Sequence, residues 1–62
     1  MKTECEQNIN HIIRLYYNHW GYPFDLVGTI IECTEQHAVF KVSCLERLKT
    51  IKYSDINKIE KL

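Results

Sequence analysis

Residues 25–42 read DLVGTIIECTEQHAVFKV, and the fold turns on how this stretch is taken. Its first arm, residues 26–33, is rich in β-branched side chains. Its second, residues 38–43, alternates apolar and polar toward its end. Between them lies Thr34-Glu35-Gln36-His37, a polar loop of hairpin length. Pairing Ile31 with Phe40 aligns Thr29 with Val42 and Cys33 with Ala38, and sends Val27, Thr29, Ile31, Phe40 and Val42 to one face. A slip of one residue presents Leu26, Gly28 and Ile30 instead. The first arm is apolar on both faces, so the pattern leaves the register open. It also marks a central or strongly curved strand, with Gly28 at a sharp bend or a close backbone approach.

Upstream, Ile9, Ile12, Ile13, Tyr16 and Trp20 fall on one side of a 3.6-residue repeat. This spacing predicts an amphipathic helix beginning near Glu4 or Asn8 and ending at Trp20. Gly21 then serves as a left-handed C-terminal cap, and Pro23 prevents continuation. Downstream, residues 48–53 read as a third strand with Lys49, Ile51 and Tyr53 on one side. Ser54-Asp55-Ile56-Asn57 reads as one helical or 3₁₀ turn, followed by a short closing strand. The expectation is an α+β fold. One helix lies across a strongly bent antiparallel sheet, and Ile9, Ile12, Ile13, Tyr16 and Trp20 meet Ile31, Phe40, Val42, Ile51 and Ile56.

The chain has 62 residues and reads as a single small domain. A domain of this size buries only about 60% of the surface of its unfolded chain, so extra stability is expected from a partner or from self-association. Three cysteines, Cys5, Cys33 and Cys44, make an odd number. The opening residues lead into polar sequence, and no apolar run approaches the roughly 20 residues of a membrane span. These features read as a cytoplasmic protein with reduced thiols and no membrane partner.

No catalytic constellation is evident. Cys5, Cys33 and Cys44 stand in no recognised nucleophile context, His11, His19 and His37 have no partner by spacing, and no glycine-rich loop offers an oxyanion hole. Cys33 and His37 bracket the hairpin loop, and with Cys44 they sketch a metal site, but the paired two-residue spacing of zinc motifs is missing. The plainer reading makes Cys33 and Cys44 small hydrophobes. A chain this short is also poorly able to enclose a pocket of about 300 Å³. The expectation is a non-enzymatic protein with no cofactor, no metal and no small-molecule substrate.

Two features point to a partner. Residues 16–24 hold five aromatic rings, and Tyr17, Tyr22 and Phe24 are those that the expected helix and strand phases leave least buried, around Gly21. They are the candidate protein-binding residues, for a foreign partner or for a homodimer; the alternative is that the cluster fills the core. The charge is zero overall but uneven. Residues 1–37 hold two cations against five carboxylates, and residues 38–62 hold six against three. Lys41, Arg47, Lys49 and Lys52 therefore form a candidate nucleic-acid contact, aided by tyrosine stacking. The alternative is a solvated strand face whose lysines guard an edge.

The order of helix, glycine-containing strand, hairpin, third strand, tyrosine, short turn and isoleucines resembles that of small SH3-like and Sm-like barrels. Val27-Gly28-Thr29-Ile30-Ile31-Glu32, followed by Thr50-Ile51-Lys52-Tyr53-Ser54-Asp55-Ile56-Asn57-Lys58-Ile59, also resembles the YolD-like family, whose members carry a similar "G-x-I … I-x-F/Y-x-D-I-x-x-I" ending. The resemblance covers roughly residues 26–59. The chain departs from it in its aromatic-rich segment before the first strand and in being shorter. The resemblance implies a non-enzymatic accessory protein linked to DNA-damage tolerance, and assigns no residue a role. The missing catalytic constellation, the balanced charge and the aromatic excess near Gly21 lead to the expectation of a protein-binding accessory or regulatory module of bacterial or phage type.

Overall fold

The computed structural model describes residues 1–62. A short helix, α1 (Lys2–Gln7), is followed by five strands: β1 (Ile12–His19), β2 (Tyr22–Cys33), β3 (His37–Val42), β4 (Arg47–Lys52) and β5 (Ile56–Lys61). A 3₁₀ turn, Tyr53–Asp55, separates the last two. All neighbouring strands are antiparallel, and the sheet order is β4-β3-β2-β1-β5. The sheet does not close, so β4 and β5 are both edges.

The helix expected from Glu4 or Asn8 to Trp20 is confined to Lys2–Gln7, and Ile12–His19 is a strand. Ile13, Leu15 and Tyr17 alternate with Ile12, Arg14, Tyr16 and Asn18, and burial follows this two-residue period. Ile9, Ile12, Ile13, Tyr16 and Trp20 fit a helical period equally well, but a run of isoleucines and tyrosines suits the pleated surface better. The partner is decisive: all eight residues of β1 pair with β2, from Ile12 opposite Thr29 to His19 opposite Tyr22. Gly21 does adopt the left-handed conformation, at φ 79°, but so does Trp20, at φ 55°. Two central residues with positive φ make a type I′ hairpin turn, not a helix cap.

Four core assignments change with it. Trp20, expected inside, is 87% exposed, and Ile12 is 59% exposed. Tyr16 is only half-buried. Tyr17, expected on the surface, is 5% exposed and belongs to the core.

The β2–β3 register combines both alternatives. Cys33 pairs with Ala38 as expected, but Ile30, not Ile31, pairs with Phe40, and Gly28 pairs with Val42. A bulge between Ile30 and Glu32 absorbs the extra residue. It turns Ile31 outward and brings Leu26, Gly28 and Ile30 to the inner face in place of Val27 and Thr29. Gly28 has the expected close approach: a Cβ there would collide with the Lys41 carbonyl and lie 2.8 Å from Cζ of Phe40.

The core consists of Cys5 from α1 with Ile13, Leu15, Tyr17, Ile30, Ala38, Phe40, Val42, Ile51 and Ile56. Helix α1 packs against β2 and β3. Asn8 ends it, its side-chain amide donating to the Glu4 carbonyl at 2.8 Å. Asn10, at φ 67°, turns the chain into β1, and its N–H donates to the Ile30 carbonyl at 2.8 Å. At the same end, the Lys2 ammonium meets Glu35 at 3.1 Å, and the Tyr53 hydroxyl donates to the Thr34 carbonyl at 2.7 Å. The helix thus covers the end of the sheet where β2 runs into β3. The opposite end, where β1 turns into β2, has no such cover.

Candidate functional site

The uncovered end is built by strand alternation. Residues opposite one another in an antiparallel pair share a face, so the inner surface of β1 and β2 continues from Leu15 and Leu26 through Tyr17 and Phe24 to His19 and Tyr22. The Tyr17 and Phe24 rings stack, with centroids 5.9 Å apart. The His19 ring meets both Trp20 and Phe24 edge-on, at 6.1 Å in each case. Beyond Tyr17 the β1–β2 hairpin outruns the rest of the sheet: β5 begins opposite Tyr17, and β3 begins to pair with β2 only at Gly28. Phe24, Tyr22 and Trp20 are therefore 47%, 69% and 87% exposed.

Between this hairpin and β4 lies an open groove of about 390 Å³. Tyr17, Leu26, Val42, Leu45, Leu48 and Thr50 line it. Arg47 and Lys49 complete the lining, and the Lys49 ammonium sits 5.7 Å from the centroid of the Tyr17 ring, a cation–π contact. The groove is larger than the chain length led us to expect. It is open, not enclosed.

The predicted site residues separate. Of the three aromatics proposed for a partner, Tyr22 and Phe24 are exposed at the hairpin, while Tyr17 lies beneath them. Arg47 and Lys49 share the inner face of β4, whereas Lys52 shares the outer face with Lys41, whose cross-strand neighbour is Leu48. The four cations are thus divided between the two sides of the sheet. None of them has a carboxylate within ion-pair distance, since the two ion pairs of the molecule are Lys2–Glu35 and Arg14–Asp25.

Cys33 and His37 flank the β2–β3 loop and are half-buried, but Cys44 is exposed in the β3–β4 turn at the other end of the sheet. The three are not brought together. Cys5 is fully buried, and burial, reinforced by the neighbouring Cys33, pushes its thiol up to about 11.

The sequence reading missed Trp20 as a surface residue and Leu45 and Leu48 as groove residues. The one available signal was Trp20-Gly21 between two runs of β-formers, an aromatic in the place where Asn-Gly is usual. Comparison with protein-family models, with curated proteins and with solved structures returns no match.

Proposed function

We propose that this chain is a non-enzymatic protein-binding module of accessory or regulatory kind, and that its contact surface is the β1–β2 hairpin tip with the groove beside it. One observation carries the reading: Trp20 is held at φ 55° and is 87% exposed. The left-handed region disfavours a bulky side chain, and the turn would be better served by Asn. Backbone strain at a side chain whose ring meets only that of the adjacent His19 is a mark of a contact residue. Tyr22 and Phe24 are exposed on the same hairpin, Leu45 and Leu48 are exposed at the groove, and Trp and Tyr are the side chains enriched in binding hot spots. One helix, five antiparallel strands and a 3₁₀ turn before the last of them support placing the chain with the small SH3-like or Sm-like folds.

The test compares wild-type protein with a Trp20→Ser/Phe24→Ser double variant, in pull-downs from nuclease-treated extract and in sedimentation equilibrium. The expected result is that a bound protein, or a self-associated species, is lost in the variant while its circular dichroism is unchanged. Identical behaviour of the two proteins would refute the reading.

A second reading has support in the four unpaired cations of β3 and β4. On it, Lys41, Arg47, Lys49 and Lys52 contact nucleic acid. Titration with labelled single- and double-stranded DNA and RNA separates the two, because binding through phosphates weakens steeply with added salt.

A further inference from the structure

Strand β4 is an edge of an unusual kind. It pairs with β3 in unbroken register, from Arg47 opposite Val42 to Lys52 opposite His37, and its other side has no strand neighbour. Its sequence, RLKTIK, contains neither proline nor glycine. Edges are usually blunted by a bulge, a proline or a covering element. The other edge strand, β5, has such a feature in the register shift at Tyr16 and Tyr17; β4 has only its cations.

We propose that β4 accepts an additional strand: an extended acidic segment of a partner protein, one bulky apolar side chain of which seats in the adjoining groove. This rests on the protein-binding reading and names the partner's chemistry. Three features of the same place define it. The free backbone edge supplies N–H and C=O groups for strand addition. Tyr17, Leu26 and Val42 supply an apolar seat within reach of that edge. Arg47, Lys49 and Lys52 supply positive charge without a single carboxylate in the strand or the groove lining, so alternating acidic residues on either side of an added strand meet a cation.

A second copy of this chain fits less well. Its free edges are β4 and β5: the first sets Arg47, Lys49 and Lys52 against themselves, and the second opposes them with Lys58 and Lys61 against the single carboxylate Glu60. Nucleic acid fits less well also. Phosphates have no use for an apolar seat, and only two of the four cations share its side of the sheet.

The probe is a short labelled peptide with a valine–phenylalanine centre flanked by runs of glutamate. Its controls are the lysine-flanked counterpart and a version N-methylated at alternate backbone amides. Saturable micromolar binding of the glutamate peptide is expected, weakened about tenfold or more by Arg47→Glu or Lys49→Glu. N-methylation should abolish binding, and amide shifts should map to β4. Failure of the glutamate peptide to bind, equal binding of the lysine peptide, indifference to N-methylation, shifts confined to β5, or tighter binding of an oligonucleotide each overturns the proposal. If the peptide fails while the Trp20→Ser/Phe24→Ser variant still loses its partner, acidic strand addition falls and the protein-binding reading survives. If the peptide binds while that variant behaves as wild type, strand addition stands and the hairpin tip falls as the contact surface.

Discussion

The rings of Tyr17 and Phe24 stack across the β1–β2 pair at 5.9 Å, yet one is 5% exposed and the other 47%. The same contact is therefore core on one side and surface on the other. Tyr17→Ala removes a buried ring and is expected to cost about 3–5 kcal/mol, a large share of the stability of a domain this small. Phe24→Ala removes an outer ring and is expected to cost about 1 kcal/mol, the worth of the aromatic pair. Urea unfolding of the two variants measures both. Equal losses would mean that Phe24 is covered in solution, or that Tyr17 is not.

At the hairpin tip, the turn dictates a different pair of outcomes. Trp20→Asn places the preferred residue at the first central position of a type I′ turn and is expected to raise stability by about 0.5–1 kcal/mol, while weakening any partner that uses the indole. Gly21→Ala meets nothing within 4 Å, so its cost is conformational alone, about 1–2 kcal/mol for a left-handed L-residue. Thermal unfolding decides both. A destabilising Trp20→Asn would show that the indole packs after all.

Gly28 is the opposite case, a glycine needed for space. It pairs with Ile13 on one side and with Val42 on the other, and faces Phe40 and the Lys41 carbonyl. A methyl group here strikes backbone, which cannot rotate away, so Gly28→Ala is expected to cost about 3 kcal/mol or more. Paired with Phe40→Leu, which withdraws the ring but leaves the carbonyl, only a minor part of the loss should return. Near-complete rescue by Phe40→Leu would show that the ring, not the strand, sets the limit.

The legible parts of the fold were those whose period had one interpretation. The β2–β3 hairpin, the third strand with Lys49 and Ile51 on one face, a short turn before the last strand and the closing strand all follow from short alternations bounded by polar residues, although the turn begins one residue early, at Tyr53, and Ile56 and Asn57, expected in it, open β5. Residues 9–20 did not, because isoleucines at 9, 12 and 13 satisfy a helical period while 13, 15 and 17 satisfy a strand period. A single segment contains nothing to choose between them; the choice is made by pairing with β2. The bulge at Ile31 was illegible for a related reason, since an arm apolar on both faces tolerates either register. At the candidate site, Tyr22 and Phe24 were legible as exposed rings. Leu45 and Leu48 were not, because they line a groove only once β4 is placed opposite the hairpin.

Alkaline stability offers a test of the covered end of the sheet. Cys5, the buried residue of α1, is fully enclosed, and its thiol is raised from an ordinary 9.0 to about 11, by burial first and by the neighbouring Cys33 second. The Tyr53 hydroxyl is also raised, first by desolvation and then by Cys33. A raised acid binds its proton more tightly in the folded state than in the unfolded one. Between about pH 9 and 11 the folded chain therefore holds more protons, and stability falls as pH rises. The Cys5 contribution is complete below about pH 9 and gone above about 11, a loss on the order of 3 kcal/mol. Tyr53 continues the decline from about pH 10 upward. In thermal unfolding under reducing conditions, the midpoint is expected to fall progressively through this window. Cys5→Ala should begin lower, having lost a buried side chain, but should decline less steeply between pH 9 and 10, where Tyr53 contributes little. A Cys5→Ala slope equal to wild type in that interval would show that the thiol is reached by solvent, and that α1 does not seal this end.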